Sequence, residues 1–210
     1  MRTQGLALKM MILAVSLLIA ESGAAEKKTE ECMAPDANHE VVLILDDANK
    51  DDRKFQLALR TLGSDKPLYS RSAQGYVPFK LAANPTDFRC LWSHDSKFVA
   101  VFERESKRTG VTSLYLLSGE KNDNVQELAF PDLMPLIKPH LTSELRALFI
   151  RPKEWIQGRH LIFFITFTET SDQTANSFIL TLKMPDANAP QSTVTLVSFV
   201  EDLPVNNTKQ

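Results

Sequence analysis

Glycine is scarce in this chain, at seven residues among 210. None of them builds a Gly-rich phosphate loop, so nucleotide binding through such a loop has no basis. No Gly-x-Ser-x-Gly elbow occurs, which removes the local signature of an α/β hydrolase. Cysteine is scarcer still. Cys32 and Cys90 alone cannot form a dense disulfide framework, so a hydrophobic core must carry most of the fold. The histidines His39, His94, His140 and His160 are spaced neither as His-x-His nor as His-Glu-x-x-His, so no metal and no cofactor is expected. Charge of one sign is not in excess, with 24 basic and 26 acidic residues. No basic stripe stands out to neutralise phosphates, which argues against a nucleic-acid partner. It argues equally against an anionic membrane surface as a default partner.

Long apolar runs are absent except for one. Met10 to Ala20 (MMILAVSLLIA) is apolar, follows Arg2 and Lys9, and precedes the small residues Ser22-Gly23-Ala24-Ala25. That arrangement reads as a secretory signal over residues 1–25, cut after Ala24 or Ala25. The run is shorter than the roughly 20 residues of a membrane span. No span is expected in the mature chain, and Cys32 lies too far past the run to carry a lipid. The expected address is the periplasm or the outside of the cell. In such an oxidising compartment Cys32 and Cys90 can pair, or they can stand as two independent residues. A link between them closes a loop of about 58 residues, for which chain entropy gives roughly 4 kcal/mol.

Beyond the leader, residues 26–39 are polar and are expected to be flexible. Residues 40–200 are expected to form a single β-rich domain, followed by a flexible tail over 201–210. Glu40 to Leu45 is rich in β-branched residues and suits a strand buried on both faces. Asp46 to Arg53 is a charged turn. Phe55, Leu57 and Leu59 then alternate with polar or small residues, the period of a half-buried strand. Residues 63–76 are rich in turn formers, and Tyr76 to Leu81 suits an edge strand carrying Pro78. Leu141 to Ile150 (LTSELRALFI) is the best helix candidate, with Thr142 or Ser143 as its cap and Pro152 blocking extension.

The most informative stretch is Phe88-Arg89-Cys90-Leu91-Trp92-Ser93-His94-Asp95-Ser96-Lys97-Phe98-Val99-Ala100-Val101. It reads as a Trp-led strand, a tight polar turn and an apolar strand. Asp95 can bond to N–H groups ahead of it and hold the turn. A hairpin loop over Arg104 to Gly110, a returning strand over Val111 to Leu117 and a third strand over Val125 to Phe130 follow. The order recurs from Trp155, with strands at Leu161 to Phe167, Ser177 to Leu182 and Val194 to Phe199, offset by about 63 residues.

Over about residues 88–130, and weakly again over 150–200, this unit resembles the blade repeat of WD40-like, TolB-type β-propellers. In that family a Trp-Ser-Pro-Asp-Gly turn leads into an apolar strand. Here His94 and Ser96 stand in place of the Pro and the Gly, and the Trp155 unit lacks the Ser-x-Asp turn. A closed propeller needs at least four blades of about 40 residues, more than the chain supplies. The expected fold is therefore mainly β: antiparallel hairpin units in a twisted sheet, sandwich or partial propeller, with one or two short helices.

The remaining chemistry reads as structure. Asp47-Ala48-Asn49-Lys50-Asp51 opens like a calcium loop, but Asp52 and Ala58 stand where Gly and a bidentate Glu belong. Ser93-His94-Asp95 holds the letters of a triad, which contiguous residues cannot form. Glu103 and Glu105 share a strand parity but sit among basic neighbours. Phe163, Phe164, Phe167 and Trp155 suit a core better than a ligand face. Asn206-Asn207-Thr208 matches a glycosylation acceptor. No catalytic residue is assigned. The residues singled out are Trp92, Asp95 and Trp155 as repeat markers, and Cys32 and Cys90 as a possible disulfide. The expected function is an exported, non-catalytic module that presents a surface to an unknown protein or envelope component. An envelope hydrolase with a site assembled from distant residues, or a carrier of a small apolar ligand, is the alternative.

Overall fold

The computed structural model describes residues 27–46, 54–73, 88–171, 175–187, 189 and 193–202. The leader, the Asp47 to Asp51 stretch, the Tyr76 to Leu81 segment and Asn206 to Thr208 lie outside the described residues. The described chain is mainly β, in two sheets, with no closed barrel or propeller. No helix of the described residues is long and apolar enough to cross a membrane.

Twelve strands fall into three successive antiparallel meanders. The first is β1 (Lys27–Met33), β2 (His39–Asp46), β3 (Lys54–Thr61) and β4 (Pro67–Ser72). The second is β5 (Phe88–Trp92), β6 (Phe98–Arg104), β7 (Thr109–Ser118) and β8 (Asn124–Leu128). The third is β9 (Leu145–Ile156), β10 (His160–Glu169), β11 (Asn176–Lys183) and β12 (Thr195–Glu201). A short parallel bridge pairs Thr109 and Gly110 of β7 with Leu148 and Phe149 of β9. It fuses the second and third meanders into one eight-stranded sheet, while the first remains a separate four-stranded sheet. A four-residue helix, α1 (Met134–Ile137), continues as a 3-10 turn over Lys138–His140 and joins β8 to β9.

The middle meander is buried on both sides. Val99 and Val101 of β6, with Tyr115 and Leu117 of β7, pack toward Val41, Leu57 and Leu59 of the first meander. Phe98, Ala100, Leu114 and Leu116 pack the other way, with Leu161, Phe163, Ile165 and Phe167 of β10. That is why the β6 sequence shows no alternation of apolar and polar residues. The third meander does alternate. Along β10, every second residue is buried and the others are half-buried.

Three elements differ from the sequence expectation. The turn-rich stretch 63–76 contains the strand β4, which pairs with β3 and takes Pro67 at its first position, where a missing N–H is tolerated. Residues 26–39 were expected to be loose, but Lys27–Met33 forms β1 and pairs with β2. The helix expected over Leu141–Ile150 does not form, and Leu145–Ile156 is the strand β9. The Thr142 and Ser143 N–H groups do find a carboxylate, as at a helix start, but it belongs to Glu169 on β10. The following residues pair with β10, where Phe149 lies opposite Thr166 and Ile150 opposite Ile165. Tertiary pairing overrides the helix propensity of Leu and Ala. Pro152 lies in the strand beside a register shift, a place where a missing N–H is tolerated.

The main-chain bonds of the turn between β5 and β6 recur between β1 and β2. The Ser93 N–H donates to the Phe98 carbonyl at 2.8 Å, and the Ser96 N–H to the Ser93 carbonyl at 3.0 Å. In the first meander, Ala34 N–H donates to the His39 carbonyl at 2.8 Å and Ala37 N–H to the Ala34 carbonyl at 3.0 Å. Asp95 accepts the Lys97 N–H as Asp36 accepts the Asn38 N–H. The residue after each Asp is left-handed: Ser96 at φ 57° and Ala37 at φ 54°. Ser96 is buried there, and its hydroxyl accepts the Asp36 N–H at 3.0 Å, tying one turn to the other.

Replacing Ser96 separates these two effects. Ser96→Ala keeps the left-handed strain and loses the hydroxyl, so it is expected to destabilise by about 1 kcal/mol. Ser96→Gly also loses the hydroxyl but relieves the strain, and should cost less. Urea denaturation of both variants checks the order. A glycine variant less stable than the alanine variant contradicts this account.

Candidate functional site

Both indoles serve the same purpose. Trp92 Nε1–H, at the end of β5, donates to the Cys32 carbonyl of β1 at 3.1 Å. Trp155 Nε1–H, near the end of β9, donates to the Leu91 carbonyl of β5 at 3.1 Å. Cys32 and Leu91 hold equivalent places, each next to last in the first strand of its meander. Each indole thus clips its own meander to the first strand of the one before. Met33 holds the corresponding place in the first meander and is 53 % exposed. Cys32 and Cys90 are joined as a disulfide, which binds β1 to β5 covalently beside the Trp92 clip.

The largest polar cluster lies between the first two meanders. The Arg71 guanidinium of β4 donates five hydrogen bonds, matching its five N–H groups. Nε donates to the Tyr115 hydroxyl at 2.9 Å, Nη1 to the Ser72 carbonyl at 3.1 Å, and Nη2 to Ser113 Oγ at 3.2 Å. Both terminal nitrogens face the Glu103 carboxylate of β6. Tyr69 packs its ring 5.2 Å from that of Tyr115 and donates its hydroxyl to Glu127 Oε2 at 2.7 Å. Burial, reinforced by Glu127, pushes the Tyr69 phenol well above its ordinary range. Burial also raises the Tyr115 phenol, against the opposing pull of Arg71. Desolvation of Arg71 is outweighed by its bonds to Glu103, so the guanidinium stays charged. Both tyrosines are neutral at physiological pH. The cluster is a charge-paired latch across two sheets.

The seam between the second and third meanders is built from arginine and aromatic rings. The Arg151 guanidinium lies 4.6 Å from the Phe149 ring centre and 5.4 Å from that of Phe102. Gly110 belongs to the parallel bridge, and a Cβ there would fall 2.6 Å from the Phe102 ring. Absence of a side chain at Gly110 is what lets β7 and β9 meet. Thr112 Oγ1 adds a 2.6 Å bond to the Ile150 carbonyl.

The other residues considered from sequence are dispersed. Ser93 Oγ–H donates to Asp95 at 2.6 Å and accepts the Phe98 N–H, while His94 between them is exposed. His39 is buried 3.4 Å from Asp36. His140 lies 4.6 Å from the Phe178 ring, and His160 Nδ1 lies 3.0 Å from the Gln157 carbonyl. Glu103 and Glu105 are not a carboxylate pair: Glu103 faces Arg71, and Glu105 sits in the β6–β7 turn. Phe163 and Phe167 are fully buried in the core, whereas Phe164 lies on the opposite face of β10. No group of three or more His, Cys, Asp or Glu side chains suited to a metal ion occurs among the described residues.

The described surface has one concentration of exposed apolar side chains. Leu196, Val197 and Val200 are 40 %, 52 % and 54 % exposed, and all three lie on β12. That strand ends the eight-stranded sheet and, among the described residues, pairs only with β11. A bulge opposite Leu182 takes Val197 out of the ladder. Its neighbour Phe199 faces the core side, stacked 4.7 Å from Phe178. Sequence reading placed a strand here but had no signal that it would be an edge, because edge position is set by pairing and not by composition.

Two expectations follow for the polar groups. Arg71→Met leaves Glu103 buried without its guanidinium and should cost about 3 kcal/mol. Arg71→Met combined with Glu103→Leu should recover most of that loss in urea denaturation, because both charges are then gone. A double variant as unstable as the single one would refute the latch. Glu169 provides a pH signature. Burial opposes its ionisation, but bonds from the hydroxyls and N–H groups of Thr142 and Ser143 prevail and hold its carboxyl below the ordinary 4.5. Its stabilisation is full above that ordinary value and fades as pH falls through the depressed folded value. The stability gap between wild type and Glu169→Gln should therefore be constant near neutrality and shrink in acid. A gap independent of pH would count against this assignment.

In comparisons with known proteins, no family model matches this chain, and neither a curated protein nor a solved structure matches it.

Proposed function

We propose that this chain is an exported, non-catalytic β-sheet module that presents a sheet edge to a protein or envelope component. The single observation that carries the reading is the β12 edge, where Leu196, Val197 and Val200 are exposed on a strand that, among the described residues, is paired on one side alone. Open edges of this kind accept an added strand, with main-chain bonds giving affinity and side chains giving selectivity. The buried polar groups elsewhere support it too. Arg71, Glu103 and Tyr115 bond to one another across the meanders and do not converge on an open site. Export is proposed from the apolar run at Met10 to Ala20 and agrees with a disulfide between Cys32 and Cys90. The four-stranded unit is read as a blade of the propeller type, repeated three times, with an indole clip in the second and third.

Expression of the full chain followed by cell fractionation tests the address. The protein should appear in the envelope or the medium, shortened by the leader and with both thiols oxidised. Assay of that material against a broad panel of hydrolase substrates tests the absence of catalysis. Turnover abolished by one substitution at His94, His140 or His160 would overturn the reading in favour of an enzyme.

A further inference from the structure

A second device lies at the other end of the molecule and is independent of what β12 binds. We propose that the Cys32–Cys90 disulfide is a redox-operated latch on β1. When a dithiol reduces it, β1 leaves the first meander and uncovers the edge of β2.

β1 has little of its own to hold it in place. Residues 27–31 are Lys-Lys-Thr-Glu-Glu, and Met33 is 53 % exposed. Four of its six ladder positions set Lys or Glu beside Val, Leu or Ile of β2. Such pairs add little attraction across a ladder. The register also shifts between Lys28 and Glu30. Among the described side chains of β1, Cys32 alone packs against the core, beside its bond to Cys90 and under the Trp92 indole.

The other end of the link is firmer. Cys90 lies in β5 among Phe88, Leu91 and Trp92, all packed against apolar neighbours. The turn after β1 is anchored too, since Ala34 is buried and the Asp36 N–H is bonded to Ser96 Oγ at 3.0 Å. Release is therefore confined to β1, with Ala34 as its hinge. What β1 guards is opposite in character. Val41, Val42 and Leu43 of β2 are buried and apolar, and a strand of that kind with a bare edge is a template for another strand.

The chemistry is thiol–disulfide exchange. A thiolate of the dithiol attacks one sulfur, the S–S bond breaks, and a mixed disulfide forms. The second thiol of the reductant then displaces the bound cysteine. Two electrons pass to Cys32 and Cys90, which end as thiols, and the reductant leaves as its own disulfide. Neither cysteine is fully buried, which leaves a way in. The latch is thus open in a reducing compartment and shut in an oxidising one.

Hydrogen exchange of the purified protein, oxidised and with dithiothreitol, tests the latch. The His39 carbonyl accepts the Ala34 N–H, and main-chain groups alternate, so Val41 and Leu43 turn theirs toward β1. The Asn38 carbonyl accepts the Leu62 N–H, so Val42 and Ile44 turn theirs toward β3. On reduction, the Val41 and Leu43 amides should exchange about tenfold faster or more, while Val42 and Ile44 keep their protection. Cys32→Ser combined with Cys90→Ser should show the same contrast without reductant. Unchanged exchange at Val41 and Leu43 after reduction overturns the proposal. So does an equal loss at Val42 and Ile44, which means that the whole meander has loosened. A disulfide that dithiothreitol opens only in denaturant overturns it as well.

Discussion

Everything in this fold depends on a middle meander that is apolar on both faces. Phe98 through Phe102 of β6 are buried without exception. A strand of that kind cannot be stable with one side wet, since each large side chain left exposed forfeits on the order of 2 kcal/mol. It therefore requires a sheet on either side. The first meander supplies one through Val41, Leu57 and Leu59, and the third supplies the other through Leu161, Phe163 and Ile165. The third meander has one inner face, which explains the alternation of β10 and the half-exposed residues of its far side, whereas the first also buries Val42, Ile44 and Ala58 on the face away from the second.

Apolar packing is non-directional, so it does not by itself fix how one meander is turned on the next. The directional contacts lie at the seams. Between the first and second meanders these are the Trp92 indole on Cys32, the Cys32–Cys90 link, the Ser96 hydroxyl on Asp36 and the Arg71–Glu103–Tyr115 latch. Between the second and third they are the Trp155 indole on Leu91, the Thr112 hydroxyl on Ile150 and the bridge at Gly110. One kind of contact, indole to carbonyl, appears at both seams in the same place. The rest differ, so the seams are related but not interchangeable. The first unit has Met33 where the others have Trp.

The repeat was legible from two tryptophans, because an indole is large and rare enough to mark a position. The turn at Asp95 was legible for a similar reason, since Asp between small polar residues bonds its own backbone. The matching turn at Ala34-Pro35-Asp36-Ala37 was not recognised, although it carries the Pro that the Trp92 unit lacks. Its lead residue is Met33, and without an indole the polar stretch looked unstructured. β9 was hidden by the opposite problem. Leu, Ala and Glu over Leu141 to Ile150 favour helix locally, and only Thr166 and Ile165 across the ladder make them a strand. The latch had no sequence signal at all, because Arg71 and Glu103 are brought together solely by the packing of two sheets. The β12 edge was invisible for the same reason.

Ser96 shows how seam and turn are coupled. A glycine would occupy φ 57° without strain, so local chemistry alone favours it. Serine at that φ is disfavoured by roughly 1–2 kcal/mol. What offsets this is the bond its hydroxyl accepts from Asp36 N–H in the other turn, within a buried setting where an unmet N–H is itself expensive. The equivalent Ala37 in the first meander has no hydroxyl to offer. Ser96 is thus chosen by its neighbour and not by its own backbone. The same principle, local preference yielding to the adjoining sheet, accounts for β9, for Gly110 and for the whole order of the stack.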